Sequence, residues 1–440
     1  MLDVTHLSGF VDWFRSSAPY IHAFRGKTFV VAFGGEVVQD GSFYSLTHDL
    51  NLLVSLGVRL VLVHGTRPQI EAEMKEKGLE STYHNGIRLT DADALECAKQ
   101  AVGQVRVEIE AALSMGLPNS PMAGADIRVA SGNYVTAQPM GVRHGIDFAY
   151  TGQVRKINTM MINGSLDDGE IVLLSPLGYS PTGEVFNLTV ENVAAEAAVS
   201  LKADKLIYLI DTPGVINLHG ELLPELTAQK AQKILDIATD LAEDIRFYLP
   251  GAIKAARNGV PRAHLISRHV DGGLLMELFT REGIGTMVTA EPQEQIRVAT
   301  IDDVGGIIAL IEPLEEEGIL VKRSRELLEM EISQFTVLKR YDMVIGCVAL
   351  YRYPENNMAE LACLAVSPDY RDRGLGDKLL QDVERQARRL GIERLFVLTT
   401  RTTHWFIERG FEHANVDVLP QERQRFYNYQ RRSKVFIKTL

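Results

Sequence analysis

Four short segments in the first half of the chain have almost no polar face to offer water. Residues 28–33 (TFVVAF), 59–63 (RLVLV), 171–174 (IVLL) and 205–210 (KLIYLI) are near-continuous runs of β-branched and other apolar side chains. A half-exposed strand alternates apolar with polar residues, so uninterrupted runs require cover on both faces, as in a parallel sheet between two layers of helices. Helical apolar spacing at 49–56 and 192–202, with Gly, Pro and Asn in the connections, supplies that cover. From Lys27 to about Val288 the chain is therefore α/β, a doubly wound sandwich with a mainly parallel sheet.

After Thr289 the segment AEPQEQ breaks the pattern, which places a linker at 289–295. A second alternation follows over 296–440. It has strands at 296–301, 335–339, 344–351 and 360–366, with helices at 307–317 and 324–332. Two domains suit a chain of 440 residues, more than one core normally supports. No window approaches the roughly 20 apolar residues of a spanning helix, and the first 26 residues are too polar for an export signal, so no membrane and a cytoplasmic setting are expected. A net charge of −11 argues against nucleic acid as a partner. Cys97, Cys347 and Cys363 are too few and too scattered for disulfides or a cysteine zinc site; reduced thiols and no metal are expected.

The chemistry starts at 360–380, ELACLAVSPDYRDRGLGDKLL: a strand, a turn, an Arg/Gly loop and an amphipathic helix. A loop Arg371-Asp-Arg373-Gly374-Leu375-Gly376 entering a helix puts unpaired amides where a pyrophosphate is stabilised. The glycines admit its close approach, and the arginines add charge-assisted contacts. Alone, this string could be a basic capping loop. It resembles motif A of the GNAT acetyltransferases, and 394–399 (RLFVLT) followed by 405–411 (WFIERGF) resembles that fold's next strand and terminal helix. The resemblance implies a GNAT α/β domain binding acetyl-CoA, with the amides of Leu364 and Val366 on a splayed strand meeting the pantetheine. It also makes Glu360, at the start of that strand, the candidate base or proton relay for an attacking amine. The family's usual tyrosine acid is Phe406 here, which leaves Thr399 as the nearest plausible hydroxyl.

A dicarboxylic acceptor needs cations outside the CoA loop, and 322–325 (KRSR) and 431–434 (RRSK) qualify, although either could be a solvated face. With ILVKRSRE, LFVLTTRTTHWFIERGF and YNYQRRSKV, the domain resembles that of the bacterial N-acetylglutamate synthases over nearly its whole length. The resemblance implies acetyl transfer to the α-amine of L-glutamate, the first step of arginine biosynthesis. Arg323, Arg431 and Ser433 would then hold the carboxylates, and the Val321 and Cys363 backbones would face the amine side.

Residues 24–35, 64–70 (HGTRPQI), 86–91, 187–191 (NLTVE) and 251–256 resemble, in order, acetylglutamate kinase of the amino-acid kinase family. The departures fall on chemistry. The lysine of Lys-x-Gly-Gly is Ala32, two of three glycines after His64 are Thr66 and Arg67, and the final aspartate is Glu191. Losing a cation at the transferring phosphoryl group argues against kinase activity. Lys254 and Arg88 remain as relics or structural charges. By the same resemblance His264, Glu277 and Gly283 match an L-arginine effector site. Residues 11–24 match the N-terminal helix that builds hexameric rings, with Tyr20 near the effector. The expected division is 1–24 oligomerisation helix, 25–288 regulatory domain, 289–295 linker and 296–440 acetyltransferase. A catalytic kinase with an acetyl-CoA sensor, or a non-catalytic arginine/acetyl-CoA sensor, are the competing readings.

Overall fold

A computed structural model describes every residue except 1–3, 218, 239, 281, 292–293, 341–342, 371–373 and 426–432, and the backbone alone of 4–8 and 10. The chain divides into two compact units, Met1–Glu291 and Pro292–Leu440.

The first unit opens with helix α1 (Val4–Phe24) and is built on eight strands: β1 (Thr28–Phe33), β2 (Arg59–His64), β3 (Val129–Ser131), β4 (Ile171–Leu174), β5 (Lys205–Ile210), β6 (Glu225–Thr227), β7 (Arg262–Ser267) and β8 (Thr286–Thr289). Their order is β6-β8-β7-β5-β1-β2-β4-β3, and every pairing is parallel except β7 with β8. The four apolar runs of the sequence are the four adjacent strands β5, β1, β2 and β4. That position explains why β1 and β5 are buried at every residue. Val30, Ala32, Val61 and Val63 point into a core shared with α3 (Val190–Leu201) and α4 (Glu243–Arg257). Phe29, Val31, Phe33, Leu60 and Leu62 point into a second core with α2 (Phe43–Ser55). Helix α2 begins six residues before the expected 49, because Phe43 and Leu46 extend the buried stripe of Leu50 and Leu53. A smaller four-stranded sheet (Val135–Pro139, Gly152–Ile157, Leu177–Tyr179, Val185–Asn187) has no counterpart in the runs, being short and partly polar.

The second unit is a seven-stranded sheet of β9 (Glu294–Val298), β10 (Phe335–Arg340), β11 (Met343–Tyr353), β12 (Met358–Val366), β13 (Arg394–Thr399), β14 (Glu412–Ala414) and β15 (Lys434–Thr439). Its order is β9-β10-β11-β12-β13-β15-β14, with only β12 and β13 parallel. The first strand ends at Val298 and not at the expected 301. Thr300 caps the following turn reciprocally with Asp303, whose carboxylate also takes both nitrogens of Arg297 at 2.7 and 2.9 Å. Helix α6 (Val304–Glu316) buries Ile307 and Ile311 on one face of the sheet, beside Cys347 and Cys363; α7 (Arg325–Glu331) follows it. Helix α8 (Leu375–Arg389) covers the other face with Leu375, Leu379, Val383 and Ala387.

Leu379 is fully buried and lies over Gly346 of β11, where a Cβ would stand 3.0 Å from its methyl group. A Leu379→Ala variant should lose about 2–5 kcal/mol of stability, read as a lower midpoint in urea denaturation of this unit.

Candidate active site

The cleft of the second unit is made by one extra residue. Strand β12 pairs with β13 only from Met358 to Leu361, against Arg394 to Val397. On its other side Ala349 faces Ala362 but Cys347 faces Ala365, so β12 carries a bulge, with Cys363 at φ +51°. Past that point, among the described residues, the edge of β12 that faced β13 has no ladder partner, which is what an added strand of ligand requires. A cleft of about 670 Å³ opens there. Cys363, Leu364, Val366, Gly374, Leu375, Gly376 and Thr399 all line it.

Helix α8 enters the cleft with Gly374 as N-cap at φ +69°, a left-handed backbone suited to glycine, and without a side-chain cap. First-turn amides are thereby left for an anion. Gly376 lines the cleft and also lies close under an aromatic ring: a Cβ there would come 3.1 Å from the Trp405 ring, which packs on the first turn. Arg409, unforeseen in the sequence, stacks 4.0 Å over Trp405 and forks onto Asp377, with Nη2 to Oδ2 at 3.0 Å. Arg371 and Arg373 lie outside the described residues, as does Arg431.

Thr399 is buried; its Oγ1 accepts from the Thr402 amide at 3.1 Å and lies 2.8 Å from the Thr402 hydroxyl. Phe406 is in the core, edge-on to Trp405 and Phe411. Burial pushes the Cys363 thiol up to about 11, so it is no thiolate nucleophile. Glu360 is buried one residue before the cleft lining begins. Both of its oxygens are taken by Arg423 of α10 (Gln421–Arg425, counted after α9, Thr403–Ile407), with Nε to Oε2 at 2.6 Å and Nη2 to Oε1 at 2.9 Å. Burial and the neighbouring Glu360 carboxylate push Tyr353 up to about 12. Arg323 donates from Nη1 to the Val321 carbonyl at 3.1 Å and lies against Cys363 and Tyr351; the Tyr351 hydroxyl donates to Glu331 at 2.6 Å. Ser433 is half-buried at the entry to β15. Arg423 was invisible in the sequence because QERQR reads as a solvated charged turn.

The first unit holds two polar centres. At the C-terminal ends of β1 and β2 a cavity of about 410 Å³ is lined by Gly34, Gly35, Gly65, Thr66, Arg67, Arg88 and the carboxylates Glu36, Glu191, Asp211, Glu243 and Asp244. Arg67 fills part of it, 4.7 and 5.4 Å from the centres of Tyr83 and Phe247 and 3.5 Å from Glu243. Arg88 is buried and saturated by Glu71 at 2.5 Å and Ser81 at 2.6 Å. Lys254 pairs with Glu196. Ala32 is fully buried, and both cations lining the cavity are engaged with carboxylates. Such a lining offers a polyanion more carboxyl groups than cations.

The other centre joins His264 on β7 to Glu277 on α5 (Gly273–Phe279). His264 Nδ1 donates to Glu277 Oε1 at 2.6 Å, and Glu277 Oε2 accepts from the amides of Ile284 at 2.6 Å and Gly285 at 3.0 Å. Gly283 has φ +66°, and a Cβ there would fall 2.4 Å from Glu277. His264 Nε2 faces the Lys205 ammonium at 3.3 Å, a partner that a lysine opening an apolar strand did not announce. Tyr20 of α1 reaches the cluster through Phe24, whose ring is 6.1 Å from Tyr20 and 5.5 Å from Phe279; Lys205 sits 5.3 Å over Phe24. Burial pulls His264 down to about 4 and Lys205 down to about 7, while the His264 hydrogen bond and the two amides hold Glu277 below the usual carboxylate range against its own burial.

A sheet whose single parallel pair splays over a helix N-terminus defines an acyl-CoA-dependent N-acetyltransferase of the GNAT class, here joined to a kinase-like fold without the kinase's cation. Residues 27–267 match the amino acid kinase family and 307–411 the acetyltransferase (GNAT) family. The amino-acid acetyltransferase of Ralstonia nicotianae is 52% identical over 431 residues, covering 98% of this chain and 95% of that one. The enzyme of Azotobacter vinelandii is 53% identical over 432 residues, covering 98% and 99%. The crystal structure of N-acetylglutamate synthase from Neisseria gonorrhoeae complexed with coenzyme A and L-arginine superposes with a TM-score of 0.90 at 41% identity, over 98% of this chain and 99% of that one. The same enzyme complexed with coenzyme A and N-acetyl-glutamate gives 0.64 at 42%, with the same coverage. The chain belongs to the amino-acid acetyltransferase family, and acetyl-CoA is its co-substrate. Among the described residues no group of acidic, His or Cys side chains could hold a metal, and no helix is long and apolar enough to cross a membrane.

His264 binds a proton below about 4 when folded and below its ordinary 6.5 when unfolded, so the unfolded state holds more protons between these values and stability falls as pH drops through that window. The decline in melting temperature of the first unit between pH 6.5 and 4 should be smaller in a His264→Asn variant.

Proposed function

We propose that this chain transfers the acetyl group of acetyl-CoA to the α-amine of L-glutamate, the first step of arginine biosynthesis, and that L-arginine bound at the His264–Glu277 cluster inhibits the transfer. The observation that carries acetyl transfer is the parting of β12 from β13 after Leu361 above the Gly374 cap of α8. Leu364 and Val366 would pair through their main chains with the pantetheine. The amides of Gly374, Leu375 and Gly376, with Arg371 and Arg373, would take the pyrophosphate. Arg323, Arg431 and Ser433 would hold the glutamate carboxylates, and the backbones of Val321 and Cys363 would face its amine side. Glu360 would take the ammonium proton, directly or through water, and Thr399 would stand by the departing sulfur, which needs little help as a thiolate.

Glutamate as acceptor is supported by the product-bound relative and by Arg323 beside the bulge. Arginine as effector is supported by the arginine-bound relative and by a cluster in which Glu277 is an anion, with His264 and Gly283 beside it and Tyr20 linked to it through Phe24. Residues 296–440 would then be the catalytic domain and 25–288 the regulatory one, with the linker inside the expected 289–295, since β8 runs to Thr289 and β9 already begins at Glu294. The first 24 residues would join copies of the chain into a homo-oligomer, a hexamer by resemblance. Val11, Trp13 and Phe14 of α1 are 40, 45 and 54% exposed, which suits a helix that packs against another copy. The setting would be the cytoplasm.

A panel of amino acids incubated with acetyl-CoA, followed by CoA release with and without arginine, tests the reading. Glutamate should be the best acceptor, and arginine should slow its acetylation; another preferred acceptor would overturn the substrate assignment. Glu360→Gln should lower kcat by about 10²–10⁴-fold. Glu277→Gln should remove the response to arginine, measured as the shift in melting temperature on adding it.

A further inference from the structure

Glu360 stands where a base is needed, but in the described site Arg423 occupies one lone pair on each of its carboxylate oxygens. Arg423 meets it as a fork, Nε to Oε2 at 2.6 Å and Nη2 to Oε1 at 2.9 Å, with side chains only 21% and 9% exposed. A bidentate guanidinium takes the two lone pairs best placed to receive a proton from an incoming ammonium. The pair is also too well shielded to be broken by water alone at little cost, since separating a buried pair leaves two uncompensated charges. Arg423 is close enough to Arg323 for the two cations to repel, and Arg323 lies at the Cys363 bulge where the cleft begins. An anion seated at Arg323 would therefore have a second guanidinium nearby, already carrying a carboxylate.

We propose that Arg423 is a specificity determinant that shields Glu360 until a carboxylate of the acceptor takes over its guanidinium. This deepens the reading of Glu360 as base and of a dicarboxylic amino acid as acceptor, and rests on it. The exchange replaces one carboxylate by another on the same fork, so Arg423 is never left unpaired, and Glu360 is released only when the matching substrate is seated. Glu360 then takes a proton from the substrate ammonium. The neutral nitrogen attacks the thioester carbonyl, the C–N bond forms as the C–S bond breaks, and the sulfur leaves with the electron pair. The second proton lost by nitrogen goes to that sulfur, giving the amide and CoA thiol. An amine lacking the carboxylate leaves Arg423 on Glu360 and remains an unreactive ammonium.

The test uses the full chain and three acceptors: L-glutamate, L-glutamine and glutamate α-amide, the last two each lacking one carboxylate. kcat/KM is measured for wild type, Arg423→Gln and Arg423→Lys, with thermal melting and coenzyme A binding as checks on folding. In Arg423→Gln the rate with glutamate should fall, and the preference over one of the two monoamides should narrow by about tenfold or more, because the base is no longer reserved for the carboxylate-bearing substrate. Arg423→Lys should narrow it less, and it decides the matter should the glutamine variant not fold. Preferences over both monoamides that stay at their wild-type values, in variants that fold, would overturn the exchange. Failure of the wild-type chain to acetylate glutamate would instead overturn the acceptor assignment on which it rests.

Discussion

One additional residue in β12 governs the second unit. Had β12 run without the bulge at Cys363, the parallel ladder to β13 would have continued and the sheet would have closed over the cleft. The bulge costs a non-glycine residue at φ +51°, a conformation worth roughly 1–3 kcal/mol of strain. The surrounding packing holds it: Cys363 is buried among Ile307, Ile311, Phe335 and Cys347. Binding and core packing are therefore the same piece of structure seen from two sides, one face of β12 sealing α6 and its far edge left open for a ligand.

The first unit has kept a kinase's architecture while its charges moved. Strands β1 and β2 still end in close glycine turns, where a Cβ on Gly65 would come within 3.0 Å of Gly34. Arg67 now stacks between two aromatic rings in the space those turns frame. Five carboxylates line the cavity against two engaged arginines. At the opposite ends of the strands, His264, Glu277 and Lys205 form a buried polar group whose protonation states are all displaced by the packing around them.

How much of this was legible follows from what each feature is made of. The four central strands were, because burial on both faces leaves no polar residue in TFVVAF or KLIYLI. The glycine-capped start of α8 was, because glycine and a helix start have a spacing. The cluster at His264 was legible only through resemblance. The bulge was not, since no residue in ELACLAV marks a positive φ. Arg423 was not either, because its partner is 63 residues away and its own neighbourhood, QERQR, has the composition of any exposed turn. The close approach of a ring to Gly376 was also hidden, because Trp405 arrives from α9. Side chains that meet across the sheet leave no periodic trace, and the surroundings of Glu360 are assembled that way.

Trp405 also gives the molecule an optical property. The chain has two tryptophans, Trp13 in the first unit and Trp405 in the second, so each unit carries a single indole chromophore. Trp405 packs on the first turn of α8 with a guanidinium across its face and lines the cleft itself. An anion arriving at that helix terminus would change the electric field at the ring. The indole that packs against Gly376 is thus a built-in chromophore at the edge of the cleft, placed there by packing.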